Sequence, residues 1–342
     1  MNGKTMIPNR RRVLAPRILS LMIALTLACA LSSVVNSGDG GNTTKSGDDS
    51  PDSAGLEESY MEIEKTKLHV VQGGTGKQTV VLIHGNAGNV HDFEYGVAEL
   101  LSKSYRVIGF DRPGHGKSAR PGGKAASVED QARMLHEALQ NLGVNNAILL
   151  GHSWGASLAL CYALKYPAEI AGLVLLAPAA FPDTDPNPLL RAVVKTPLIG
   201  ELSLMFAKTL MGDDRLRHEL ERAFYPQPVP ENYLKIATST WLGRKQLRAY
   251  LEDEWSLNNS LRRTSTHYGE LRMPVVIVTG DQDQVVSPKE NAYRLKEAIP
   301  QAQIVELKGA GHEIPLTRPG SVYSALKLIS TAATDVASTM AL

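Results

Sequence analysis

The chain has 342 residues, 43% of them hydrophobic and 21% charged, values that exclude a wholly disordered, collagen-like or multi-span membrane protein. Its 36 Lys+Arg and 35 Asp+Glu leave a net charge of +1, without the basic excess that a nucleic-acid partner calls for. The length suits one large α/β unit carrying an insertion.

Lys4, Arg10, Arg11, Arg12 and Arg17 face no acid at the start of the chain, and the uncharged apolar run Ile18–Leu31 follows them. A basic head before an apolar stretch is the order of a secretory signal, so residues 1–36 are expected to be a signal peptide or a membrane anchor. That places the protein outside the cell or at its envelope. Ala28-Cys29-Ala30 resembles a cleavage site, Cys29 after Leu27-Ala28 loosely resembles a lipoprotein box, and Arg10-Arg11 loosely resembles a twin-arginine signal, so cleavage, lipidation and retention all stay open. Residues 37–57 are rich in Gly, Ser, Asp and Asn and are expected to be a flexible linker, leaving 58–342 for the folded domain. Cys29 lies ahead of that domain, which holds Cys161 alone, and no disulfide is expected within it.

Short strand-like runs at Met61–Ile63 and Leu68–Val71 suggest a hairpin feeding the apolar strand Thr79–Ile83. The same apolar signature returns at Tyr105–Phe110, Ala147–Leu150, Gly172–Leu176, Val275–Thr279 and Gln303–Leu307. Helical stretches lie between several of these runs. Ser127 and Asp130 read as a capping box, Val128, Ala132, Leu135, Leu139 and Leu142 recur at helical spacing, and Gly143 suits a C-terminal cap. Strands alternating with helices predict an α/β fold with a mostly parallel central sheet and helices on both faces. The alternation stops at about residues 180–272, where helix-like segments carry Pro182, Pro186, Pro188, Pro197, Pro226, Pro228 and Pro230. This stretch is expected to be an inserted helical cap. Its aromatics, Phe206, Phe224, Tyr225, Tyr233, Trp241, Tyr250 and Trp255 among them, are expected mainly to form the cap's own core.

The sharpest chemical signal is Gly151-His152-Ser153-Trp154-Gly155, directly after the strand Ala147–Leu150 and at the start of a helix running to about Lys165. A serine on so tight a strand-to-helix turn is pushed out above the sheet edge, and small neighbours are needed to avoid clashes. With this strand, turn and helix, the chain from about Met61 onward resembles the α/β-hydrolase fold family, a serine hydrolase with a helical cap. The resemblance implies that His84-Gly85-Asn86 is the family's H-G-x loop and that the amides of Asn86 and Trp154 form an oxyanion hole. His84 is expected to be structural. Asp111–Ser118 (DRPGHGKS) resembles the family's D-x-x-G-x-G-x-S turn, and His115 within it is read as loop-shaping.

By the same resemblance the triad follows in the order serine, acid, histidine, each on a loop leaving the C-terminal end of a strand. Gly280-Asp281-Gln282-Asp283 follows one strand, and the family's G-x-x-D pattern selects Asp283 over Asp281 as the acid. Gly309-Ala310-Gly311-His312 follows another and supplies His312 as the base for Ser153. These parts run covalent acyl transfer. The expected substrate is a small carboxylic ester or a related carbonyl compound. Carbon–carbon bond hydrolase, lactonase and perhydrolase activities share the triad, and an acyltransferase differs only in excluding water. A non-catalytic ligand-binding protein of the envelope is the alternative of another class. Asn86 and Trp154 also look like the halide-binding pair of haloalkane dehalogenases, but those enzymes and epoxide hydrolases need a carboxylate nucleophile that Ser153 cannot provide. No cofactor and no metal are expected. The nine histidines are scattered and H-E-x-x-H is missing, and Gly73–Lys77 lacks the spacing of a phosphate-binding loop.

Overall fold

A computed structural model describes residues 56–120, 125–183, 214–241 and 243–339. The leader, nearly all of the linker, and cap residues 184–213 with Phe206 lie outside the described residues.

Eight strands form one sheet: β1 (Glu57–Ile63), β2 (Thr66–Gly73), β3 (Thr79–Ile83), β4 (Arg106–Phe110), β5 (Ala147–His152), β6 (Ile170–Leu176), β7 (Val275–Gly280) and β8 (Gln303–Leu307), in the order β1-β2-β4-β3-β5-β6-β7-β8. All pairings from β4 through β8 are parallel, whereas β1 pairs antiparallel with β2 and β2 antiparallel with β4. The hairpin therefore precedes β3 in the chain but does not lie beside it. The places next to β3 are taken by β4 and β5, and the hairpin closes the edge beyond β4.

The central strands are apolar along most of their length because both faces are covered. Val81 and Ile83 of β3, Leu149 of β5, Leu173 and Leu175 of β6 and Ile277 of β7 join one core cluster, and the intervening Val80, Leu82, Ile148, Leu150, Val174, Leu176, Val276 and Val278 join the other. This is the two-residue alternation of a strand read twice, once per face. Helices α1 (Val128–Asn141) and α2 (Trp154–Lys165) cover the first face. On the second, Val322, Ala325, Leu326 and Ile329 of the last helix pack at helical spacing. Ser127 caps α1 by accepting the Asp130 amide, and Gly143 follows its end with φ +63°.

Residues 214–224 are helical, followed by α3 (Glu231–Thr240) and α4 (Arg244–Thr264). Leu216, Leu220, Ala223, Phe224, Tyr233 and Ala237 form a separate small core, so Phe224 and Tyr233 are cap core, while Tyr225 stays 44% exposed. The last helix is α5 (Pro319–Thr339).

Helix α4 is locked to the sheet domain by Asp253, which is wholly buried. Its carboxylate accepts hydrogen bonds from Arg112 at 2.5 Å, Arg120 at 2.7 Å, His115 at 2.9 Å and Gln131 at 3.1 Å. Burial alone would raise its pKa, yet the Arg112 charge and the His115 hydrogen bond hold it far below the usual carboxylate range. Removing one member of a buried ionic cluster strands the others without compensation, so Asp253→Ala is expected to cost about 3–5 kcal/mol in urea denaturation. A cost below about 1 kcal/mol, the scale of an exposed pair, would contradict this locking role.

Candidate active site

The loops that leave β3, β5, β7 and β8 at their C-terminal ends meet above one edge of the sheet. On the loop after β5, Ser153 sits between strand and helix with φ +53° and ψ −115°, a conformation that costs a non-glycine residue about 1–3 kcal/mol. Neighbouring contacts enforce it. A Cβ on Gly155 would strike the carbonyls of Ile83 and His84, and one on Gly151 would strike the backbone of Gly155 and Ala156. Hydrogen bonds from the Ser153 amide to the Leu176 carbonyl at 2.9 Å, and from the Ala156 and Ala179 amides to the Ser153 carbonyl at 3.0 and 3.2 Å, hold the turn.

The structure brings Asp283 and His312 into contact, with His312 Nδ1 donating to Asp283 Oδ2 at 2.8 Å. The other carboxylate oxygen of Asp283 accepts the Val285 and Val286 amides at 2.8 and 2.9 Å. Asp281 turns elsewhere and accepts the Gly309 amide at 2.8 Å. His312 packs beside Ser153's neighbour: the rings of His152 and His312 are 4.9 Å apart, and His152 Nε2–H donates to the His312 carbonyl at 3.0 Å. Three sequentially distant loops thus converge on residues 152–153, 283 and 312.

Several of the residues that hold this arrangement carry no sequence signal. His152 is the variable position of its motif, and burial pushes its pKa down to about 3, so it serves as a neutral donor. The cap contributes the Ala223 carbonyl, which accepts both the His312 and Glu313 amides at 3.0 and 3.2 Å, and Gln227, which donates to the Gly309 carbonyl at 2.7 Å. Gly311 admits no side chain because a Cβ there would overlap the Tyr225 carbonyl. Glu313, next to His312, is 8% exposed, and burial pushes its pKa up to about 7 against the pull of His312.

His84 and His115 use both ring nitrogens internally. His84 Nδ1–H donates to the Gly85 carbonyl at 2.8 Å while Nε2 accepts the Arg112 amide at 2.9 Å. His115 is held between Asp253 and Gln246. The side chains of Asn86 and Trp154 are likewise engaged. Asn86 Nδ2 donates to Glu254 and to the Tyr250 carbonyl, both at 3.1 Å, and Trp154 Nε1 reaches the Asp253 carbonyl at 3.4 Å. The likeness to a halide-binding pair therefore ends at residue type, because both donors are spent on helix α4.

The α/β hydrolase fold model matches residues 78–319. The chain belongs to the α/β hydrolase fold family. It is 30% identical over 238 residues to lipase 3 of Moraxella sp. (strain TA144), covering 69% of this chain and 71% of that protein. It is 27% identical over 261 residues to a 2-hydroxy-6-oxononadienedioate/2-hydroxy-6-oxononatrienedioate hydrolase of Paraburkholderia phymatum (strain DSM 17167 / CIP 108236 / LMG 21445 / STM815), covering 72% and 84%. An α/β hydrolase fold protein from Burkholderia ambifaria superposes with a TM-score of 0.68 at 20% identity, covering 78% of this chain and 96% of that one. As a member of the α/β hydrolase fold family, the protein is a hydrolase acting on a small molecule.

The electrostatics of this α/β hydrolase bear on its working pH. Burial lowers the pKa of His312, but the charge and hydrogen bond of Asp283 outweigh it and leave the imidazole above the ordinary value of 6.5. A histidine that serves as a base must be neutral to accept a proton, so if His312 has that role, kcat/KM is expected to rise with pH along an acid limb centred above 6.5. A limb centred below that value would show that Asp283 does not govern His312.

Proposed function

We propose that the protein is a serine esterase: Ser153 is the nucleophile, His312 the general base and then acid, Asp283 the residue that orients and stabilises the imidazolium, and the Asn86 and Trp154 amides the oxyanion hole. The observation that carries this reading is the Asp283–His312 hydrogen bond of 2.8 Å, on a ring that lies against His152, the neighbour of a serine held in a strained turn. Ser153 Oγ attacks the ester carbonyl carbon as its proton passes to His312 Nε2, and the carbonyl electron pair moves onto oxygen. The tetrahedral adduct collapses, the C–O bond to the alcohol breaks, and His312 returns the proton to the leaving oxygen. Water, deprotonated by His312, then opens the acyl-enzyme and releases the acid. Trp154 opens helix α2, where the amide has no partner one turn back. An amide donor of this kind contributes about 3 kcal/mol to transition-state stability.

The similarity to the dienedioate hydrolase supports a second reading, carbon–carbon bond hydrolysis by the same triad. The Glu254 carboxyl on Asn86 and the buried Glu313 beside His312 favour an uncharged ester over a dicarboxylate. A panel of p-nitrophenyl esters of rising chain length, run beside a 2-hydroxy-6-oxo dienedioate, tests the choice. Ester turnover with no cleavage of the dienedioate is expected, and the reverse would replace the esterase reading.

The basic head and apolar run of Lys4–Leu31 support export, or attachment at the cell envelope. Among the described residues no helix is long and apolar enough to cross a membrane. N-terminal sequencing and mass analysis of the protein recovered from its source distinguish cleavage, lipidation and retention.

A further inference from the structure

We propose that Arg112 is the positioning residue of the oxyanion hole, holding both of its walls from the side away from substrate; this rests on the serine-esterase reading above. Arg112 is 3% exposed and spreads its planar fork across three elements. Nη2 donates to the Gly85 carbonyl at 2.9 Å and Nε to the His84 carbonyl at 3.1 Å. The Gly85 carbonyl and the Asn86 amide are the two ends of one planar peptide group, with oxygen and hydrogen on opposite sides. Fixing that carbonyl from below therefore fixes the direction of the amide above it. The second wall is held by stacking: the guanidinium carbon lies 4.0 Å from the centre of the Trp154 ring, whose own amide is the other donor.

The remaining donor, Nη1, goes to Gln131 at 3.1 Å and to Asp253 of helix α4 at 2.5 Å. One side chain thus joins the H-G-x loop, the nucleophile turn and the cap helix. Preorganisation is what gives an oxyanion hole its effect, since donors that must be reoriented during reaction lose most of their advantage. Lysine cannot replace this residue. Its ammonium is a compact charge with three rotatable donors on a flexible stem, so it cannot hold the two carbonyls in one rigid planar geometry, and without a flat face it leaves the Trp154 ring unsupported.

The test uses the full chain with Arg112→Lys and Trp154→Phe. The second variant keeps the backbone amide while removing the indole N–H and part of the stacked surface. Each is measured for kcat and KM on p-nitrophenyl butyrate, for the inhibition constant of an alkyl trifluoromethyl ketone, whose hemiketal oxyanion occupies the hole, for the pH profile, and for thermal stability. Arg112→Lys is expected to lower kcat about 100-fold, as an ångström-scale misplacement does. The ketone is expected to weaken by the same factor, with KM and the acid limb unmoved. Trp154→Phe is expected to show a parallel loss of about tenfold, one decade of transition-state stabilisation. Ketone affinity within about threefold of the parent in the variants that fold would overturn the proposal, even if their melting temperatures fall, because Arg112 would then be a brace for the fold alone. If Arg112→Lys does not fold, Trp154→Phe decides by the same criterion. A parent enzyme whose Ser153 fails to react with a fluorophosphonate marks failure of the esterase reading, whereas a reactive parent with unaffected ketone binding marks failure of this inference.

Discussion

Ser153→Ala is expected to lower kcat for a p-nitrophenyl ester by about 10⁴- to 10⁶-fold, the range seen when an acyl-enzyme nucleophile is lost while binding and oxyanion contacts persist. The fold is expected to survive. The turn is held by the Ser153 backbone, through its bonds to Leu176, Ala156 and Ala179, and alanine accepts the same φ of +53° at a similar cost. KM and melting temperature are therefore the controls. A variant within about tenfold of the parent would mean that ester cleavage proceeds without a covalent intermediate on this residue.

Asp283→Asn is expected to cost about 10⁴-fold in kcat, the scale of a triad whose histidine is held in the wrong tautomer. The local bonds dictate how the new amide sits. One oxygen of Asp283 accepts two backbone amides, from Val285 and Val286, so the asparagine carbonyl must stay there and its NH₂ must face His312. His312 Nδ1 then becomes an acceptor, the proton moves to Nε2, and the imidazole can no longer take the proton of Ser153. Asp281→Asn is expected to be mild, within about tenfold of the parent, because that carboxylate braces the Gly309 amide rather than His312. Comparable losses in the two variants would undo the assignment of the acid.

The strands were readable because both faces of the sheet are covered, so each central strand is a short unbroken apolar run such as Thr79–Ile83 or Val275–Thr279. The amphipathic helix Val128–Asn141 was equally plain from its cap and its spacing. The placement of the hairpin was not, since nothing in the strands beginning at Glu57 and Thr66 says which neighbour they pair with; register across a sheet is a tertiary fact. The turn bearing Ser153 and the loops bearing Asp283 and His312 were legible because each needs small residues at fixed offsets from a strand end. The parts that hold them were not legible. Asp253 stands in a charged run (Leu251-Glu252-Asp253-Glu254) that reads as solvated helix surface, and only the docking of the cap buries it against Arg112. The grip of Ala223 on His312 is a backbone carbonyl, which no side-chain pattern can announce. Asn86 and Trp154 resembled a halide-binding pair by type, and the contacts of their side chains with helix α4 remove that meaning.

The measurement that bears most directly on this account is the site of acylation. The enzyme is mixed with excess p-nitrophenyl butyrate, stopped with acid within the first turnover, digested and mapped by mass spectrometry. A butyryl group is expected on the peptide containing Ser153, and it is expected to disappear in Ser153→Ala. Full ester turnover with Ser153 unmodified, or with the acyl group on another side chain, would contradict it.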